Sequence, residues 1–212
     1  MVIDLYCERT TPDLWAEPLN AASNVLFVVA AAVCARRARQ RGQTDALALA
    51  LVLGTIGIGS GLFHVFATRW ALWFDVVPIA VFQLGYLVCY LRRAAHLHAF
   101  TVAVALAAFI GALAFGSTIP DRLNGSLAYL PALLVLGGLG ADHWRRTGSR
   151  LLLVAAGLFV VSLGLRTIDS ALCPVWPWGT HWAWHTLNAI VLACALEAYQ
   201  RSRTVTRAAP QG

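Results

Sequence analysis

Ser60, His64, Asp75, His181 and His185 are the residues of this chain whose types and spacing suit hydrolytic chemistry. His181 and His185, in the run GTHWAWH, stand four residues apart, so on a helix both imidazoles project from one face. That is the spacing by which a helix offers two ligands to zinc. His64 supplies a third, and three protein ligands with an open fourth position describe a catalytic zinc site. The structural alternative sets the pair in an aromatic belt with Trp178, Trp182 and Trp184. Ser60 and His64 also share a face at i and i+4, although Gly57, Gly59 and Gly61 surround the serine and small residues of this kind serve helix packing. Asp75 resists a purely structural reading, because an unpaired carboxylate in lipid is expensive. An ion pair with Arg69, or a local role near Pro78, is its alternative.

Zinc lowers the pKa of a bound water to about 7 and polarises a carbonyl. Asp75 is then the general base and acid, taking the water proton and returning it to a leaving group. Ser60 donates a hydrogen bond to the tetrahedral oxyanion. A rival scheme makes Ser60 a nucleophile with His64 as its base; it leaves His181 and His185 without a role.

These residues are embedded in an unusually apolar chain. The 212 residues are 59% hydrophobic and 12% charged, against about 45–50% and about 25% in ordinary soluble domains, and the mean hydropathy is +0.68. A multi-pass membrane protein follows. The net charge of +6 does not indicate a nucleic-acid partner, because the basic residues, all sixteen of them arginine, cluster in short runs between apolar segments. The first nineteen residues carry Asp4, Glu8, Asp13 and Glu17 against a single Arg9, the reverse of a signal-peptide n-region.

A spanning helix needs about 17–25 mostly apolar residues. Seven such segments are expected, over 20–38, 46–66, 70–91, 99–117, 126–142, 150–168 and 180–199, with a turn at GSTIPDRLNGS between the fourth and fifth. Arginines 36, 37, 39, 41, 92, 93, 145, 146, 150, 201, 203 and 207 fall on one side, and only Arg9, Arg69, Arg122 and Arg166 on the other. The expected fold is therefore all-α, a seven-helix membrane bundle with its N-terminus outside and its C-terminus cytoplasmic. Residues 1–19 form an extracytoplasmic segment, 20–199 the membrane domain and 200–212 a disordered cytoplasmic tail. Threaded on this topology, Ser60 and His64 lie near the outer end of the second span, Asp75 at the outer start of the third, and His181 and His185 at the outer start of the seventh. Residues more than a hundred positions apart thus arrive at one depth.

EPLNAASN, GIGSGLFH followed by Asp75, RTIDSALC and HWAWH together resemble the alkaline ceramidases over nearly the whole chain. These are seven-helix zinc amidases within a wider superfamily of membrane hydrolases and receptors. The resemblance implies zinc on His64, His181 and His185, catalytic roles for Ser60 and Asp75, and hydrolysis of ceramide-like N-acyl lipids to a sphingoid base and a fatty acid.

The N-terminal segment offers a second candidate site. Asp4, Glu8, Asp13 and Glu17 gather the oxygen ligands that a hard cation such as calcium prefers, or else form a solvated acidic leader. The resemblance implies a calcium site there, onto which Asp4, Tyr6, Glu8, Thr10 and Glu17 map. Asp4 stands three rather than two residues before the cysteine, Tyr6 replaces a tryptophan, and Thr10 stands where asparagine is expected. Cys7 and Cys173 both fall outside, where they form either a disulfide or two free thiols; the resemblance implies the bridge. Arg166 and Asp169, three residues apart, are expected to form a local ion pair, with contact to a lipid headgroup as the alternative.

The sequence thus describes a zinc-dependent hydrolase acting on the amide of a membrane lipid. Arginine-only, alanine-rich usage fits a bacterial plasma membrane. The alternatives are a heptahelical receptor of the progestin and adiponectin receptor type, or a transporter that uses Asp75 and the histidines as a proton relay.

Overall fold

Pro18 sits in the first turn of the first helix, where its missing N–H costs nothing and its fixed φ suits a helix start. The Glu8 carboxylate accepts the free N–H groups of Leu19 (2.6 Å) and Asn20 (2.8 Å), so this helix is capped from outside itself. The computed structural model describes residues 2–119 and 122–208. Its α-helices are α1 (Pro18–Ser23), α2 (Val25–Gln40), α3 (Thr44–Phe66), α4 (Arg69–Cys89), α5 (Ala99–Ser117), α6 (Leu130–Thr147), α7 (Leu151–Leu172) and α8 (His181–Ala208). With α1 and α2 taken as one rod interrupted at Asn24, they make seven long helices.

Among the described residues six helices are long and apolar enough to cross a membrane. The last helix is long but less apolar. Its first three turns carry His181, Trp184, His185 and Asn188, all buried inside the bundle. An inward polar face lowers the hydropathy of a helix without exposing any polar group to lipid.

Each helix packs on the next in sequence, and α8 closes the bundle against α2. One continuous core runs through it, built on Phe27, Leu53, Ile56, Phe82, Leu196 and Tyr199. At the end opposite the histidines, Glu197 pairs with Arg37 (3.1 Å), Arg41 (3.1 Å) and Arg201 (2.6 Å). Asp45 there pairs with Arg93 (2.8 Å) and accepts the Tyr199 hydroxyl.

Several boundaries differ from the sequence expectation. The fifth span begins at Leu130, with Pro131 in its first turn. The residues before it form 3₁₀ turns in which Leu123, Asn124 and Gly125 are left-handed, a conformation an α-helix cannot contain. The last helix continues to Ala208, past the boundary expected at 199, because Tyr199 and Gln200 are buried against the preceding helices rather than released. Residues 209–212 of the expected tail, and Pro120 and Asp121 of the expected turn, lie outside the described residues.

The α3–α4 hairpin sets up the site. α3 ends at Ala67, whose left-handed backbone (φ 45°) reverses the chain and whose carbonyl accepts the N–H of Ile3 (2.7 Å). Within α4, Pro78 has no N–H to offer the carbonyl four residues back, that of Phe74. That carbonyl lies where a Cβ on Gly59 would be, so the two backbones touch and Ser60 is brought beside Asp75. Such a close contact of a carbonyl with a glycine Cα is a recognised feature of helix interfaces. Replacing Gly59 by alanine is expected to push the helices apart, at a cost of about 1–3 kcal/mol. Gly61→Ala, whose Cβ would meet neighbours only at ordinary contact distance, is expected to be tolerated. Thermal melting of the two variants in detergent distinguishes them.

Candidate metal centre and catalytic site

His64 leaves the last turn of α3, and His181 and His185 occupy the first turns of α8. All three are buried, and one ligand atom from each lies within 4.8 Å of the others, the metal-competent cluster found among the described residues.

The surrounding hydrogen bonds assign the tautomers. His64 Nδ1 donates to Glu17 Oε2 at 2.5 Å, which leaves its Nε2 with a lone pair. The Ser23 hydroxyl donates to the Asn20 carbonyl (2.8 Å), so its oxygen accepts Nδ1–H of His185 (2.8 Å). His185 Nε2 therefore also carries a lone pair, and it faces His64 Nε2 at 3.2 Å. Two lone pairs repel at that distance unless a cation lies between them. Tetrahedral zinc with nitrogens at about 2.0–2.1 Å sets its ligands about 3.3 Å apart, so the spacing fits. Nδ1 of His181 is buried without a hydrogen-bond partner among the described residues, as suits a group reserved for a ligand. The donor set fits zinc.

Glu17 is the common support. Its carboxylate is almost fully buried and binds His64, Asn20 Nδ2 (3.0 Å) and Arg9 Nε (2.6 Å). Burial pushes this carboxyl up, but the hydrogen bonds from His64, Asn20 and Arg9 more than offset it and hold the pKa below the usual range. A carboxylate behind a ligating histidine fixes the ring and raises its basicity.

The Ser60 side chain lies close enough to the Asp75 carboxylate to stabilise its charge, and both line one cavity. Among the described residues Asp75 forms no ion pair with Arg69. Ser60, Asp75, His181 and His185 line one cavity with Arg166 and Tyr6. The cavity continues along α4 to Leu87 and along α8 to Ala195, between apolar walls. From Asp75 to Leu87 that is about 18 Å at about 1.5 Å per residue.

The residues read as a calcium site do not make a cluster of metal-competent ligands among the described residues. Asp4 and Thr10 are exposed, and the Tyr6 ring stacks on His181 with centroids 3.6 Å apart. Burial pushes the Tyr6 hydroxyl up to about 12, against the nearby Arg166. Both oxygens of Glu8 are engaged by the N-terminus of α1, and both of Glu17 by His64, Asn20 and Arg9. The cation in this segment is Arg9. Besides Glu17 it reaches the carbonyls of Asp13 (3.0 Å), His64 (2.9 Å) and Thr11 (3.4 Å), oxygens of the kind calcium would take.

Cys7 and Cys173 are joined in a disulfide that ties this segment to the end of α7. The expected Arg166–Asp169 ion pair is absent among the described residues. Asp169 instead accepts the backbone N–H groups of Cys7 (3.1 Å), Thr180 (2.6 Å) and His181 (3.0 Å), anchoring the start of α8. Gly179, left-handed at φ 58°, lets the preceding loop close on that carboxylate, where a Cβ would collide with Asp169 and Cys7. The supporting roles of Glu17, Asn20, Ser23 and Asp169 were not read from the sequence. Asn20, Ser23 and Asn24 did carry a signal, since they form a polar stripe at i, i+3 and i+4 within an apolar span.

Because Arg9 fills the cation role, millimolar calcium or a calcium chelator is expected to leave the melting temperature of the purified protein unchanged. Arg9→Ala strands a buried carboxylate and is expected to cost about 3–5 kcal/mol, read as a fall in melting temperature.

No curated protein matches this chain. The family model described as Ceramidase matches residues 5–211, nearly its full length. The chain, with a buried histidine cluster beside a cavity lined by Ser60 and Asp75, belongs to the Ceramidase family.

Proposed function

We propose that this protein is an intramembrane zinc amidohydrolase that cleaves the amide of ceramide-like N-acyl lipids, releasing a fatty acid. The observation that carries this reading is the convergence of His64, His181 and His185 in one buried cluster, two members of which, His181 and His185, line the cavity that also holds Ser60 and Asp75. The proposed topology has seven spans, with the histidine end toward the outer leaflet of a bacterial plasma membrane. The crowding of arginines at the opposite end supports that orientation.

Bound by the three histidines, zinc would supply Lewis acidity, lowering the pKa of a water to about 7 and polarising the amide carbonyl. The acyl chain lies in the apolar limb that runs toward Leu87 and Ala195, which brings the amide to the polar end of the cavity. Asp75 takes a proton from the attacking water and returns it to the departing nitrogen. While Asp75 is ionised the Ser60 hydroxyl stabilises its charge. Once Asp75 is protonated that hydroxyl is free to donate to the oxyanion, so the two residues act in sequence. Glu17 keeps His64 in its ligating tautomer throughout. The scheme with Ser60 as nucleophile and His64 as base lacks support, because the serine lies beside Asp75 and both His64 nitrogens face Glu17 and His185.

His181→Ala and His185→Ala are each expected to abolish amide cleavage and to remove most bound zinc. Elemental analysis of the purified protein and mass spectrometry of released fatty acid read the two effects. Ser60→Ala is expected to keep zinc and lose about 10²–10³-fold in kcat. Glu17→Gln is expected to weaken zinc binding about 10–100-fold, measured by competition with a chelator. Full activity in either histidine variant, or an acyl-enzyme trapped on Ser60, would overturn the scheme.

A further inference from the structure

Arg166 makes no ion pair among the described residues, and the carboxylate that acts on it, Asp75, does so only at longer range across the shared cavity. The partner expected for Arg166, Asp169, is committed to three backbone N–H groups, and among the described residues no carboxylate lies within ion-pair distance of the guanidinium. Three aromatic rings hold it instead, with centroids at 5.3 Å (Tyr129), 5.5 Å (Trp184) and 5.7 Å (Tyr6). One side-chain hydrogen bond is made, from Nη1 to the Tyr6 hydroxyl at 3.2 Å, while Nε is buried without an acceptor. A guanidinium has five N–H donors, so this one is short of oxygen acceptors.

An underpaired buried cation is costly in a protein interior and costlier in a membrane, where such residues mark ligand pathways. Arg166 lines the same cavity as Ser60, Asp75 and His181, with Tyr6 and Tyr129 beside it. The apolar limb leads away toward Leu87, Leu139 and Ala195. A lipid with its acyl chain in that limb and its amide beside the histidines turns the substituent on its amide nitrogen toward Arg166. The aromatic cage fixes the plane of the guanidinium, and a planar fork matches a carboxylate through two parallel hydrogen bonds.

We infer that Arg166 is a carboxylate-binding subsite, and that the pocket favours N-acyl lipids whose amine portion carries an acid group next to the amide, as in an N-acyl amino acid. This rests on the amidohydrolase reading for the fate of the ligand, though not for its binding. Ceramide, which is neutral, leaves the guanidinium unmatched. The acid-bearing lipid satisfies it.

The test uses two lipids of matched size, N-palmitoylglycine and the neutral N-palmitoylethanolamine, with palmitate as a third ligand. Binding to the full-length protein in detergent is measured by titration calorimetry, and cleavage by mass spectrometry. The wild type is expected to bind N-palmitoylglycine about tenfold or more tightly than the neutral lipid, as a hydrogen-bonded charge pair provides. Arg166→Gln is expected to remove that preference and Arg166→Lys to keep part of it.

Equal binding of the two amides by the wild type overturns the subsite, and this arm needs no variant to fold. A preference that survives in Arg166→Gln overturns it also. So does a loss confined to palmitate, which would assign Arg166 to the released acid instead. If the acid lipid binds through Arg166 and neither amide is cleaved, the subsite stands and the hydrolase reading falls. If both are cleaved and bound alike by wild type and Arg166→Gln, the reverse holds.

Discussion

A single buried carboxylate, that of Glu17, carries the arrangement on which the rest of this site depends. It joins the N-terminal segment through Arg9, the first helix through Asn20 and the third through His64. A carboxylate removed from water is stable only when every lone pair is engaged, and here the engaged partners are the pieces that must be aligned. Losing Arg9 in particular would leave this buried carboxylate without its ion-pair partner. The histidine cluster is therefore held by the same energy that keeps Glu17 from being a liability.

A second carboxylate performs the matching task on the other side of the site. Asp169 gathers the backbone N–H groups at the start of α8 and that of Cys7, so His181 is fixed through its main chain while its ring remains free to face the cluster. The disulfide and the close approach at Gly179 lock the same region. Polar residues at the opposite end of the bundle have a different character. There Glu197 and Asp45 pair directly with arginines, several of them exposed. The histidine end keeps its unsatisfied groups, His181 Nδ1 and Arg166 Nε, within the region that lines the cavity.

Family membership supplies the reaction class, and the details of this chain modify what the resemblance implies. In the segment where calcium was expected, Arg9 binds Glu17 and the carbonyls of Thr11, Asp13 and His64.

The sequence by itself determined the helical class, most of the helix boundaries to within a few residues, and the end of the bundle at which Ser60, His64, Asp75, His181 and His185 meet. The physical reason is that lipid permits only internally bonded backbone and penalises stray polar groups, so apolar length and misplaced polarity are both legible in one dimension. Tertiary structure alone decided the pairing of charges. Nothing in the spacing of RTID says that Asp169 turns to backbone amides and leaves Arg166 among rings. Nor does CERT say that Arg9 folds back onto Glu17. Ion pairs between distant segments depend on which side chains packing brings within about 4 Å, and a linear sequence holds that information only through the whole fold.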